Sequence, residues 1–304
     1  MPDVIEEPAV GPLSELAPPA PGVWQRLLSN PLAAISLVAL VLLALTALFA
    51  PLLAPYDFAH QDLANRLSGV SHLHRLGTDE LGRDTLSRLI YGARISLLVA
   101  AAVEGFVVTV GLIVGLVAGF VGGGVDSILM RLTDVILAFP DILLAILLLG
   151  TLGSANASPL VSLGLVIIAL GITGWPPLAR LVRGQVLTLR KREFVEAARA
   201  LGATDGRILR RHILPNLLSP ILVAVTVDAA SVILSEATLS FLGIGVQRPF
   251  SSWGRMINDA LQYYQSQPRL IILPSLLLSV TVLALNFLGD GLRDALDPRA
   301  ARRH

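Results

Sequence analysis

Residues 32–53 read LAAISLVALVLLALTALFAPLL, a run without one charged side chain. An α-helix rises about 1.5 Å per residue, so about 20 such residues cross the roughly 30 Å hydrocarbon core of a bilayer. This stretch predicts a first transmembrane helix, and the whole chain agrees with it. Of 304 residues 54% are hydrophobic and 15% charged, and the mean hydropathy is +0.73. With 23 Lys+Arg against 22 Asp+Glu the net charge is +1, which offers no basic field to gather nucleic acid. The absence of cysteine removes disulfides, thiolate metal sites and a cysteine nucleophile. Aromatic residues make up 5% and no ten-residue segments alternate in polarity, so an outer-membrane barrel is a poor fit. Residues 1–26 are acidic and rich in proline, the composition of a disordered tail. That acidic leader, and Pro51 behind the small residues, argue for a retained span over a cleaved signal peptide.

Downstream, uncharged stretches predict further spans. Ile95–Val121 is the second, with Gly105, Gly111, Gly115 and Gly119 spaced for close helix approach in lipid. A glycine turn at 122–124 leads to Leu129–Leu152, a third span that holds Asp134 and is interrupted by Pro140 and Asp141. A turn at 153–159 sets off a fourth, Leu160–Trp175, followed by Leu217–Leu242 and Leu270–Leu288. The predicted fold is therefore an all-α integral membrane protein of six transmembrane helices. Its parts are a tail (1–26), a first helix with an outer segment (27–94), a five-helix core (95–290) and a C-terminal tail (291–304).

Six spans put both termini on one side, and the excess of basic residues marks the cytoplasm. Nine of the 23 basic residues fall between Arg180 and Arg211, so this loop and both termini are expected inside. One observation resists: Arg66, Arg75, Arg83, Arg88 and Arg94 then lie in the outer 55–94 segment.

Within the basic loop, residues 190–201 read RKREFVEAARAL, which puts Phe194, Val195, Ala198 and Leu201 along one helical face. Gly202 is suited to end that helix, Thr204 or Asp205 to start another, and Pro215 to stand just before the fifth span. An apolar face on such a loop needs cover from lipid headgroups, from the chain's own helices or from a soluble partner.

Here the residues resemble a family. Glu196-Ala197-Ala198, then Gly202, then Leu214-Pro215 match the EAA loop of the permeases of ATP-binding-cassette importers, with His212 where the general pattern has isoleucine. The runs LGTDELGRDTLSRLIYGARISL (76–97), MRLTDVILAFPDILLAI (130–146) and FLGIGVQRPFSSWG (241–254), with NPLA at 30–33, resemble the "C"-type subunit of dipeptide, oligopeptide and nickel importers. The resemblance covers most of residues 25–295. It implies a type I importer permease in the bacterial inner membrane, paired with a homologous B-type permease, two ATPase subunits and an extracytoplasmic solute-binding protein. It also implies that 55–94 is extracytoplasmic, against the arginine count. The loop 184–215 then carries a coupling helix that docks in a cleft of an ATPase, with Glu196, Ala197, Ala198, Leu201, Gly202, Leu214 and Pro215 as the contact and turn residues. ATP and Mg belong to the partner subunits, and this chain needs no cofactor. Peptides are the first expectation for cargo, with a nickel chelate or glutathione as alternatives.

Four acids, Glu104, Asp134, Asp228 and Glu236, fall in or at the ends of predicted spans, where ionisable groups face a bundle interior or a water path. Asp228 and Glu236 each cost about 2.5–3.5 kcal/mol at a helix centre. They are candidates for the translocation path, or for contact with a peptide's amino terminus, beside a plain reading as structural polar groups. His60, His72 and His74 read as loop residues rather than metal ligands. Trp253, Tyr263 and Tyr264 read as interfacial anchors. No HExxH, GxSxG, SxxK or P-loop pattern is present, so the chain reads as a permease and not an enzyme. An independent secondary transporter remains the rival class, since Asp228 and Glu236 supply carboxylates of the kind it couples to ions.

Overall fold

A computed structural model of the chain describes residues 22–153 and 158–296. Of the disordered tail expected over 1–26, residues 1–21 lie outside the described residues and 23–26 are instead helical; most of the turn expected at 153–159 and the chain beyond 296 also lie outside the described residues. Among the described residues the structure is helical, with one isolated bridge between Thr78 and Asp84.

The first apolar run becomes α2 (Pro31–Leu48), preceded by a short α1 (Val23–Ser29). Asn30 separates them, and its side chain accepts from the Leu32 and Ala33 amides at 3.1 and 3.3 Å, capping α2. A single turn, Ala50–Leu53, follows. The second span is longer than its apolar core: α3 runs from Thr85 to Val121 and takes in Arg88 and Arg94. Asp84 caps it by accepting from Ser87 N at 2.8 Å. After Gly122 and Gly123, both with positive φ, α4 (Gly123–Leu137) begins six residues earlier than the hydropathy places it. It joins α5 (Asp141–Leu152) at an 85° bend. Pro140, which has no N–H to continue the ladder, accounts for the break, so the third span is a bent pair and not one helix.

α6 (Pro159–Leu189) continues through Pro176 and Pro177, well past the expected end at Trp175. Beyond the basic loop, α9 (Leu214–Phe241) is followed by a short α10 (Trp253–Ala260) and by α11 (Arg269–Leu296). Among the described residues five helices are long and apolar enough to cross a membrane, and the bent pair makes a sixth crossing if it counts as one. The chain is a multi-pass membrane protein.

α3 and α6 form the tightest pair. A Cβ on Gly115 or Gly119 meets α6 atoms at 2.6 and 2.8 Å, closer than a side chain allows, and one on Gly111 would make a tight 3.0 Å contact, so small residues are what permit this approach. Gly105, the fourth glycine of that spacing, faces open space and takes no part. Val99, Val103 and Val107 of α3 join Val166 and Val182 of α6 and Ile233 of α9 in the main core. At the end where α3 stops and α9 starts, Leu27 and Ala33 pack on Ala295, so the described chain termini sit together with the basic loop. We call this the basic end, and the opposite one, which carries 55–84 and 242–268, the loop end.

Candidate functional site

The basic loop folds as a compact hairpin of short helices. α7 (Glu193–Ala200) starts after Arg192 with Glu193 and Glu196 in its first turn, where acids suit the helix dipole. It ends in a Schellman arrangement: Gly202 N donates to Arg199 O at 3.0 Å and Ala203 N to Ala198 O at 3.0 Å. Gly202 stands at φ +81°, and no atom lies within 4 Å of where a Cβ would be. Glycine is required there by backbone conformation, not by crowding. Thr204 precedes α8 (Asp205–Ile208), and a π-helical turn, Leu209–Ile213, runs straight into α9.

One row of side chains fixes the hairpin to the bundle. Val195, Ile208, Ile213 and Leu217 are all fully buried and belong to the same core as the spans. The apolar face expected on α7 is therefore divided. Val195 turns inward, while Phe194 is exposed, its ring 6.2 Å from that of His212, and Leu201 stands 88% exposed. Glu196, Ala197, Gly202 and Pro215 are exposed, and Ala198 and Leu214 half-buried. Neighbouring groups brace α6 behind the hairpin: Arg183 binds Asp126 with two hydrogen bonds, and Arg190 donates to Gly119 O at 2.9 Å while lying over the Phe120 ring.

The four acids do not converge. Asp134 pairs with Arg180, both half-exposed. Glu236 is fully buried and accepts from Ser240 Oγ at 2.7 Å and Ser96 Oγ at 3.2 Å, tying α9 to α3. Only Glu104 and Asp228 come together, side by side on a pocket of about 130 Å³ between α3, α6 and α9. The Ser240 partner, four residues from Glu236, is visible in the sequence; Ser96, 140 positions away, is not.

At the loop end the five puzzling arginines divide. Arg83 and Arg88 are buried. Asp79 Oδ2 accepts from Arg83 Nε at 2.7 Å and from Arg88, and Asp259 accepts from Arg88 at 3.0 Å, Arg248 at 2.9 Å and Arg255 at 3.1 Å. Glu80 accepts from Arg83 and Arg248. Burial alone raises the Asp259 carboxyl, but Arg88, Arg248 and Arg255 outweigh it and hold the group below its ordinary value. Burial and the charge of Asp79 push Glu80 the other way, upward. Arg83 and Arg88 are thus internal partners of acids and not the free charges that the topology rule counts, whereas Arg66, Arg75 and Arg94 are exposed.

One loop-end expectation is corrected. Trp253 is no interfacial anchor: it is 0% exposed, and its Nε1 donates to Leu89 O at 3.2 Å, because Ser252 caps α10 and Gly254 lets the turn drop onto Ala237. His74 is held by Asp84 at 3.0 Å, and among the described residues no cluster of three metal-ligating side chains occurs.

Comparison with known proteins places this geometry. The binding-protein-dependent transport system inner membrane component family matches residues 111–302, and the N-terminal transmembrane domain of oligopeptide transport permease C matches 21–70. The dipeptide transport system permease protein DppC of Alkalihalophilus pseudofirmus is 43% identical over 91% of this chain and 88% of its own length. The oligopeptide permease OppC of Bacillus subtilis is 41% identical over 90% and 88%, and the glutathione permease GsiD of Escherichia coli O157:H7 44% identical over 91% and 89%. Among solved structures, the inward-facing MetNI methionine ABC transporter aligns with a TM-score of 0.57 at 20% identity, covering 70% of this chain and 98% of that one.

Proposed function

Since the chain belongs to the family of binding-protein-dependent transport system inner membrane components, we propose that it is one of two permeases of an ATP-driven peptide importer, coupled to an ATPase by the hairpin 193–213. It is a permease subunit and not an enzyme. The basic end faces the cytoplasm, in keeping with its arginines, and the loop end faces the solute-binding protein. A homologous B-type permease completes the path. Two ATPase subunits supply ATP and Mg. Peptide cargo is supported by the dipeptide and oligopeptide permeases among the relatives, and the glutathione permease at 44% identity favours glutathione, itself a peptide, as the second reading.

One observation carries the coupling role. Val195 anchors α7 to the spanning core, while Glu196, Ala197, Leu201 and Gly202 face away from the chain. A partner that grips the exposed side therefore pulls on α9 through Ile208, Ile213 and Leu217, with little slack in between. Ala197 and Ala198 are small enough for a groove to approach the helix backbone closely. Closure of the ATPase dimer on ATP then moves the spans between inward-open and outward-open arrangements.

The test is Gly202→Val beside Glu196→Arg in cells that depend on this importer. A β-branched residue at φ +81° costs about 1–2 kcal/mol or more and unwinds the end of α7. Both variants are expected to insert normally, to lose at least ten-fold in uptake and to release the ATPase on purification. Normal uptake by both would remove the hairpin from coupling.

A further inference from the structure

Among the described residues Glu104 is the one deeply buried carboxyl of the spans that no hydroxyl, amide or cation serves, its polar neighbour being the carboxyl of Asp228. Only 7% of Glu104 is exposed, and neither carboxylate oxygen has a hydrogen-bond partner. Glu236, equally deep, has two serine hydroxyls in place. The unbonded group is not sealed in a hydrophobic wall: with Asp228 it lines the pocket between α3, α6 and α9. Glu104 lies nine residues, about 14 Å, into the apolar run that starts at Ile95, and Asp228 lies at the middle of α9, so the pair sits near the bilayer midplane. Ionisable groups at that depth belong to a path or are paired, and this pair consists of two groups of the same sign.

The pocket lining supplies no cation. Among the residues that line it, only Glu104 and Asp228 are charged; the others include Gly174, Pro177 and Ala224. Pro176 and Pro177 have no N–H, so the carbonyls of Ile172 and Thr173 lack their i+4 donors one turn from the pocket wall. A pocket whose only polar side chains are two carboxyl groups suits a compact cation with donors of its own, and an ammonium carries three N–H groups. A bare metal ion takes roughly six or more oxygen ligands, whereas only two carboxyl side chains line this pocket and no third metal-ligating side chain joins them among the described residues.

We propose that Glu104 and Asp228 form a waypoint for the free α-ammonium group of a peptide in transit. The inference rests on the peptide-importer reading. Carboxyl groups at the midplane hold the ammonium while the two ends of the permease exchange access, so that the ammonium is paired as it passes the apolar core. The pocket fits the amino end of a peptide rather than the whole molecule, which leaves side chains free to vary.

The test uses the complete importer with its binding protein in proteoliposomes, with ATP-driven uptake of dialanine and ATP hydrolysis measured in parallel. Transport of dialanine by the natural complex tests the cargo reading by itself. For Glu104→Gln with Asp228→Asn, uptake is expected to fall at least ten-fold while hydrolysis stimulated by the binding protein stays within two-fold. Uptake unchanged in the double variant would overturn the proposal. Should the variants fail to assemble, the natural complex decides: carbodiimide modification of Glu104 and Asp228, read by mass spectrometry during turnover, is expected to slow with dialanine and not with N-acetyl-dialanine. Equal protection by both peptides, equal protection by sodium chloride alone, or no modification at either residue would each reject an ammonium waypoint.

Discussion

The two ends of the molecule carry arginines in similar numbers and treat them in opposite ways. At the loop end Arg83, Arg88, Arg248 and Arg255 converge on Asp79, Glu80 and Asp259, in a network largely closed to water. At the basic end Arg192, Arg199, Arg207, Arg210 and Arg211 are exposed, and Arg199 reaches Asp205 only at 3.8 Å with both groups in solvent. The exposed apolar residues do not follow this division: Leu201 and Phe194 stand out at the basic end, and Leu63, Val70 and Leu73 at the loop end, where Trp253 is wholly enclosed. One end satisfies its own polar groups and is built as a rigid cap over the spans. The other leaves charge and apolar surface open on a hairpin that is nonetheless anchored by Val195. An anchored element with an open face suits a joint between subunits.

The sharpest way to break this comparison is to open the cap. Asp79 accepts from Arg83 and Arg88 and from the amides of Leu81 and Arg83. Asp79→Ala leaves two buried guanidinium groups without that partner, a change expected to cost about 3–5 kcal/mol. The purified complex should lose most of its folded yield or melt far below the natural protein. A thermal midpoint in detergent within a few degrees of normal would show that the network is ornamental. Next in size is Gly115→Val, whose Cβ meets Ala179 O at 2.6 Å and forces α3 from α6. Overpacking of this kind costs about 1–3 kcal/mol. The same change at Gly105, which faces open space, is expected to leave the midpoint unmoved.

How much of this was legible in the sequence depends on the distance over which each feature is written. Spans are local sums of hydropathy, and α2, α9 and α11 lie close to where composition puts them. The start of α3 was hidden because Arg88 and Arg94 interrupt the apolar run, and what makes Arg88 tolerable, Asp259, lies 171 residues away. Trp253 looked like an anchor for the same reason: nothing near it in sequence reports that its acceptor is Leu89 O. The hairpin was the easiest part to locate, since helix start, glycine stop and proline restart fall within a few turns. Even there, the sequence put Val195 and Leu201 on one face and could not tell which of them turns inward. The pairing of Glu104 with Asp228 joins groups 124 positions apart, and singling out each acid separately gave no sign of it.

Acid sharpens the contrast at smaller amplitude. Asp259 is held below its unfolded value by its arginines, so its contribution is full above about pH 4 and is lost as pH falls through its lowered value. Glu80 is raised, so its contribution has the opposite sign: it favours the fold at pH below its unfolded value and fades as pH rises. The thermal midpoint of the complex should therefore hold level from neutrality to about pH 5 and drop steeply only below about pH 4. Asp259→Asn should flatten that acid limb, and a limb of equal steepness in the variant would place the acid sensitivity elsewhere.

The smallest expected change in stability is at the joint itself. Leu201 is 88% exposed, so Leu201→Ser removes almost no contact within the chain and should alter stability by no more than about 0.5 kcal/mol. Against a groove on an ATPase the same leucine has most of its surface to bury, and its loss is then felt only in the assembled complex. Normal melting with weakened retention of the ATPase on an affinity column is the expected pair of results. A variant that retains the ATPase as tightly as the natural chain would mean that the open face of the hairpin is covered by lipid, and that the grip on α9 is applied elsewhere. The contrast between a closed end and an open one would then describe exposure alone, and no longer a joint.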